Sequence, residues 1–263
     1  MSAPIDLSKR WQVVEGEALS TLMTLPDAFA DGVVTDPPYS SGGAFRGDRM
    51  VSTTLKYQQT GQALKWREFT GDNRDQRAYL AWCALWLWEC LRVCKPGAPI
   101  CVFTDWRQLP TTTDAIQAGG WVWRGIAPWD KTEAARPAMG RFRSQCEYVV
   151  WGSKGSMPDR ADVGCLPGAW RFTVGSDDKH HIAGKPVALM EQVCRIVPPG
   201  GLIVDPFAGS ASTGLGAMRT GRNFLGIEVD PENVNTSRSR LGESAYTAPM
   251  SDATSFLPLG GGE

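Results

Sequence analysis

The chain has 263 residues, 42% of them hydrophobic and 21% charged, the balance of a globular protein that can bury a sizeable core in one domain. A formal charge of −1 and a pI near 6.2 exclude a globally basic surface, so any nucleic-acid contact has to come from a local basic patch. No apolar run reaches the ~18 residues of a membrane span. The first residues lack a secretory leader's basic and then apolar pattern, and the seven cysteines, with no Cys-x-x-Cys pair, read as reduced and mostly buried thiols. A cytoplasmic location is expected.

The first clear strand is 31–35, stopped by the two prolines of Asp36-Pro37-Pro38-Tyr39. Residues 40–70 are polar and weakly periodic, with Arg46, Arg49, Lys56, Lys65 and Arg67 scattered through them, and read as a loop beside the active edge. A core-facing helix is predicted over 77–93, with Leu80, Ala84, Leu87 and Leu91 at helical spacing and Trp82, Trp86 and Trp88 as packing bulk. Lys95-Pro96-Gly97 ends it.

Strands follow at 98–103, 121–129 and 147–151, with a helix at 109–118 between the first two. Residues 155–184 form a short insertion whose one apolar cluster is Ala169-Trp170-Arg171-Phe172. A helix is predicted over 186–197, then strand 202–204, helix 212–220 and strand 223–229. The alternation implies an α/β fold: a doubly wound, mostly parallel Rossmann-like sheet with helices on both faces, one domain over 1–241 and a disordered tail over 242–263.

Two segments carry chemistry. After strand 202–204 comes Asp205-Pro206-Phe207-Ala208-Gly209-Ser210, whose small residues let a ligand approach the backbone ahead of a helix amino terminus suited to a carboxylate. About twenty residues on, Glu228 and Asp230 end a second strand, where an acid suits ribose hydroxyls. Gly-x-Gly-x-x-Gly, the mark of a dinucleotide site, is absent.

The other segment is Asp36-Pro37-Pro38-Tyr39. An amino group conjugated to an aromatic base is a poor nucleophile because its lone pair is delocalised into the ring. Two acceptors holding its N–H bonds, the Asp36 carboxylate and the Pro37 carbonyl, pull the nitrogen toward tetrahedral geometry and free that pair. Pro37 and Pro38 fix the backbone, and Tyr39 offers a ring on which a flipped base stacks.

Taken together, these segments resemble the amino-methyltransferases of DNA, which act on adenine N6 or cytosine N4. Because the Asp-Pro-Pro-Tyr segment precedes the cofactor turn, the resemblance is to their beta group. Gly16-Glu17-Ala18-Leu19, Lys95-Pro96-Gly97-Ala98, the strand from Glu147 to Lys154 and His181-Ile182-Ala183-Gly184-Lys185-Pro186 match further family segments in order. Ala211 replaces a usual glycine, Glu17 a usual Asp, and His181 is not followed by Pro-Thr-Gln.

The resemblance implies S-adenosylmethionine as methyl donor and double-stranded DNA as substrate, with no metal. Asp36, Pro37, Pro38 and Tyr39 are then catalytic. Glu17, Ala18, Lys185, Asp205, Pro206, Phe207, Ala208, Gly209, Ser210, Glu228 and Asp230 are cofactor-binding. In the family an Asp in the quartet's first position leans toward adenine N6, with cytosine N4, RNA and a protein glutamine amide as alternatives.

Sequence reading in that family lies in the interval corresponding to 155–184, here only 30 residues, which implies a relaxed or short recognition sequence or reading shared with 40–70 or a second subunit of a homodimer. Arg46, Arg49, Arg136, Arg141 and Arg143 are candidates for holding phosphates. His180 and His181 lack an acid or thiol partner at ligand spacing and are not read as a metal site.

Overall fold

The computed structural model describes residues 5–6, 8–39, 74, 76–135, 139–173 and 184–247. In chain order the elements are β1 Trp11–Glu15, α1 Ala18–Leu22, β2 Gly32–Thr35, α2 Gln76–Val93, β3 Pro99–Thr104, α3 Leu109–Ala118, β4 Val122–Asp130, β5 Cys146–Ser153, β6 Trp170–Arg171, α4 Val187–Cys194, β7 Leu202–Asp205, α5 Ser212–Arg219, β8 Asn223–Glu228 and α6 Pro231–Thr247. The eight strands form one sheet in the order β1-β8-β7-β2-β3-β5-β4-β6. Only β5, antiparallel to both neighbours, runs against the rest.

Alternation along the strands builds two cores. Val13, Val34, Phe103, Val149, Ile203 and Phe224 face one side with residues of α4, α5 and α6. Val14, Val33, Ile100, Val150, Val204 and Leu225 face the other with residues of α1, α2 and α3. Both faces are therefore covered, as a mostly parallel sheet requires. Burying each such Val, Leu or Ile contributes roughly 1.5–3 kcal/mol.

The α2 stripe sits one position away from the predicted one. Tyr79, Cys83, Trp86, Leu87, Cys90 and Val93 are buried, Leu80, Ala84 and Leu91 only partly so, and Trp88 is exposed. Cysteine is the reason: as a small apolar side chain it fills the inner face, and burial pushes the Cys83 thiol up to about 12.

Residues 242–247, expected to belong to the tail, are helical, because α6 continues to Thr247, and 248–263 lie outside the described residues. Asp230 accepts the Glu232 N–H at 2.8 Å ahead of Pro231, the first helical residue, and Val234 and Leu241 are buried. Among the described residues no helix is long and apolar enough to cross a membrane.

The winding reverses between β7 and β2. From β7 the chain passes through α5 to β8 on one side, and from β2 through α2 to β3 on the other. In such sheets the crevice for ligands opens at the carboxyl ends of the two strands flanking the reversal. Asp36 follows one of these strands and Asp205 ends the other.

Candidate active site

At the end of β2, Asp36 turns into the crevice and meets Lys185, which immediately precedes Pro186 and α4. The Lys185 Nζ donates to Asp36 Oδ2 at 2.6 Å and lies 3.4 Å from Glu147 Oε2. Tyr39 joins them: its hydroxyl donates to Glu147 Oε2 at 3.4 Å and lies 3.4 Å from Lys185 Nζ. Lys131 Nζ then donates to Glu147 Oε1 at 3.0 Å. The result is a row of alternating charge, Lys131, Glu147, Lys185 and Asp36.

Lys185 is 5% exposed. Burial alone would lower its pKa, but Asp36 and Glu147 hold it above the ordinary value, so the ammonium stays charged. Burial raises the Asp36 carboxyl and Lys185 opposes that rise. Glu147 is held below the ordinary range because Lys185 and Lys131 together outweigh its burial.

One oxygen of Asp36 is taken by Lys185, while Oδ1 is buried and accepts no hydrogen bond from the described residues. No described residue donates to the Pro37 carbonyl either. Two acceptors on consecutive residues are thus left unpaired, the arrangement that a planar amino group needs.

On the other side of the crevice, Asp205 is buried, accepting from the Thr35 hydroxyl at 2.7 Å and from the Phe207 N–H at 3.0 Å. Burial pushes its carboxyl up to about 6 against these hydrogen bonds. The turn beyond it uses two left-handed residues, Gly209 at φ 52° and Ala211 at φ 60°. A Cβ on Gly209 would meet nothing within 4 Å, so the backbone there borders open space. Ala211, the departure from glycine noted in the sequence, takes the strained conformation itself.

Glu228 Oε2 accepts from the Gly209 N–H at 2.8 Å and Oε1 from the Asp230 N–H at 2.9 Å. Burial raises its pKa against those two bonds. From behind, α6 fastens the turn: the Ser237 hydroxyl donates to the Gly209 carbonyl at 2.6 Å, and Arg240 donates to the Ser210 carbonyl and hydroxyl. The turn's carbonyls are thereby engaged. At the start of α5 no side chain caps the helix, and the buried Ser212 hydroxyl has no partner. Unmet donors at a helix amino terminus beside a glycine cradle fit a carboxylate-bearing nucleotide cofactor.

Several expected cofactor residues sit differently. Lys185, just ahead of Pro186 and α4, is engaged by Asp36. Asp230 caps α6. Glu17 caps α1, accepting from Leu19 N–H at 3.0 Å and Ser20 N–H at 2.8 Å, and these bonds outweigh burial to lower its pKa. Ala18 is buried in α1.

The β1–β8 register sets Glu15 opposite Glu228, and Gly16 N–H donates to the Glu228 carbonyl at 2.9 Å, so the Glu17 turn still borders the crevice. Phe207 packs edge-on against Trp86 at 5.2 Å and tilts against Trp82 at 5.3 Å, while Pro206 is buried in the turn and Ala208 lies in the core behind it.

Of the candidate phosphate ligands, Arg46, Arg49 and Arg136 lie outside the described residues, as do His180, His181 and all of the 40–70 loop. Arg141 is exposed. Arg143 donates to the Glu133 and Ala135 carbonyls and so braces its own loop. Sequence reasoning missed Glu147 as a site residue, and with it Lys131, Thr35, Ser237 and Arg240. Of these only Glu147 had a signal, its place in a family segment.

A doubly wound α/β sheet with a glycine-containing turn on one lip of its crevice and a pair of unpaired acceptors on the other is the architecture of the Rossmann-like methyltransferase class. A DNA methylase family model covering N6 and N4 enzymes matches residues 30–173 and 167–239, and the chain belongs to that family. YubD of Escherichia coli (strain K12), whose name carries the word methylase, is 25% identical over 229 residues, covering 87% of this chain and 88% of its own.

Among solved structures, the M1.HpyAVI–SAM complex superposes with a TM-score of 0.62 at 20% identity, over 88% of this chain and 98% of that one. The cytosine-N4-specific PvuII DNA methyltransferase gives 0.65 at 19% identity, over 90% and 92%. At these identities both structures bear on the fold.

Proposed function

We propose that this DNA methylase transfers the methyl group of S-adenosylmethionine to adenine N6 in double-stranded DNA, by direct in-line attack and with relaxed sequence specificity. The observation that carries the reading is the state of Asp36, whose Oδ2 is clamped by Lys185 while Oδ1 and the neighbouring Pro37 carbonyl accept nothing from the described residues.

The residues suited to the cofactor are Asp205 to Ser210, Glu228 and the start of α5, and when bound it supplies an electrophilic methyl on sulfur. Asp36 Oδ1 and the Pro37 carbonyl hold the two amino hydrogens of the extruded base and turn the nitrogen lone pair out of the ring. Lys185 opposes the neutral acid that burial favours, a form that would lose acceptor strength. Tyr39, its hydroxyl tethered to Glu147, offers its ring to the base. Asp36 Oδ1 is also placed to take the proton that the nitrogen sheds. Positioning and fixed charge are the catalytic contributions.

Adenine is favoured because the quartet begins with Asp36. Relaxed specificity is favoured by the 30-residue interval 155–184, of which 155–173 and 184 are described and hold only the two-residue strand β6. The test is incubation with methyl-labelled S-adenosylmethionine and mixed-sequence duplex DNA, then digestion to nucleosides and mass spectrometry. Label on 6-methyladenine in many contexts is expected. Label on 4-methylcytosine would replace the base and keep the mechanism, and an unlabelled DNA pool beside labelled RNA or protein would overturn the substrate.

A further inference from the structure

Exposed apolar side chains are ordinary one at a time, so their place on the fold decides their meaning. Two aromatic ones lie on the carboxyl edge of the sheet, within two strands of Asp36. Trp106 follows β3, the neighbour of β2, and is 54% exposed. Phe142 is fully exposed in the segment joining β4 to β5. That segment is on the same edge because β4 ends there at Asp130 and the reversed β5 begins there at Cys146, one residue before Glu147.

Neither aromatic hangs on slack chain. The Trp106 turn is pinned by Asp105 Oδ1, which accepts from the Arg107 and Gln108 N–H groups at 3.0 Å each, and the Arg107 guanidinium lies 5.2 Å from the Trp106 ring centroid. The base of the Phe142 segment is closed by Lys131 N–H to the Gln145 carbonyl at 2.9 Å and by Gln145 Nε2 to Asp130 Oδ1 at 2.7 Å. Phe142 is flanked in sequence by Arg141, a cationic neighbour suited to a phosphate, and by Arg143, which braces the segment through the Glu133 and Ala135 carbonyls.

Base extrusion leaves a gap in the duplex and costs a few kcal/mol of lost stacking and pairing. An apolar wedge entering the stack recovers part of that cost. We infer that Phe142 enters the place vacated by the target base and that Trp106 stacks on the opened duplex beside it, so that together they hold the extruded state. The inference rests on the proposed reaction with duplex DNA and names the surface that makes a duplex usable.

The test compares wild type, Phe142→Ala, Trp106→Ala and Phe142→Trp on three DNAs of one mixed-sequence pool: the perfect duplex, the duplex with its adenines and cytosines mismatched, and the single strand. Stacking of an aromatic on a base is worth roughly 1–3 kcal/mol, so each alanine variant should lower methylation of the perfect duplex about tenfold relative to the other two substrates, with Phe142→Trp close to wild type. Equal losses on all three DNAs, or no loss on the perfect duplex, would overturn the inference. Thermal unfolding of each variant confirms that exposed positions were changed without loss of fold. If wild type labels none of the three DNAs, the proposed reaction itself fails, an outcome distinct from selective or unselective loss in the variants.

Discussion

Thr35 donates its hydroxyl to Asp205 Oδ1 across 2.7 Å of buried space, joining the last residue of β2 to the last residue of β7. The two lips of the crevice are thereby fixed to each other by one bond. Its worth depends on pH. Burial pushes Asp205 from the ordinary 3.8 up to about 6, so between those values the folded protein keeps a proton that the unfolded chain has released, and stability falls as pH rises through the window.

Thr35→Val removes a donor to the charged carboxylate, the form that needs it most. The expected cost at about pH 7.5 is about 1–3 kcal/mol, shrinking at about pH 4.5 where Asp205 is protonated. Urea unfolding at the two pH values measures it. A deficit that is equal at both would mean that Thr35 acts by packing alone.

Asp36→Asn keeps the shape of the side chain and removes its charge. Turnover should fall by about 100-fold or more, the scale of losing a fixed transition-state hydrogen-bonding group. Affinity for S-adenosylmethionine, read by calorimetry, should stay within a few-fold, since the cofactor turn belongs to β7 and β8. Retained activity would remove Asp36 from the mechanism.

Lys185→Met leaves Asp36 buried without its cation, so the Asp36 pKa climbs further from its already raised position. Activity that needs the ionised acid should then show its acid limb displaced to higher pH, with kcat reduced more than KM is raised. Glu147→Gln should give a smaller displacement in the opposite direction, because the Glu147 charge raises Asp36 and its loss leaves the Lys185 cation in place. A fall in activity with the pH profile in place would reduce Lys185 to a scaffold residue.

Glu228→Ala frees the Gly209 N–H and the Asp230 N–H together. Cofactor affinity should drop roughly 10- to 100-fold, the equivalent of one or two such bonds lost. Isothermal titration checks this, and Glu228→Gln, which keeps an acceptor, should fall between the two.

Gly216 lies where α5 crosses α4. A Cβ there would come 2.7 Å from the Met190 carbonyl carbon and 2.8 Å from the Glu191 nitrogen, both backbone atoms that cannot swing aside. Gly216→Ala should cost about 1–3 kcal/mol by forcing the helices apart. Because Lys185 enters on the leading end of α4, kcat should fall as well. Differential scanning calorimetry beside a turnover assay separates the two effects.

The parts legible in the sequence were those written locally. Two prolines after a buried run marked the end of β2, and small residues after β7 marked the turn that follows it, because each signal lies within a few residues of the feature it specifies. The α2 stripe was read one position off, since Cys83 and Cys90 serve there as apolar residues.

The helix α6 escaped notice because its stretch from Asn233 to Arg240 is almost wholly polar. The buried Ser237 and the arginines that reach back to Val13 and Ser210 do the fastening that an apolar stripe would otherwise do. The bond between Lys185 and Asp36 spans 149 positions, and no local pattern encodes a meeting at that distance. Only the sheet order brings them together.

That same order has a consequence for synthesis. The strand β7 lies between β2 and β8, and β1 pairs only with β8, so the first two strands made wait for nearly the last two. Paired residues such as Gly32 and Ile203, or Trp11 and Phe224, are 171 and 213 positions apart, which at about 5–20 residues per second is on the order of 10 s or more. Throughout that interval Val33 and Val34, both without solvent contact in the finished protein, have no β7 beside them. A nascent chain of this topology depends on the ribosome's vicinity, or on a holding chaperone, to keep that edge from pairing with another chain before its own partner emerges.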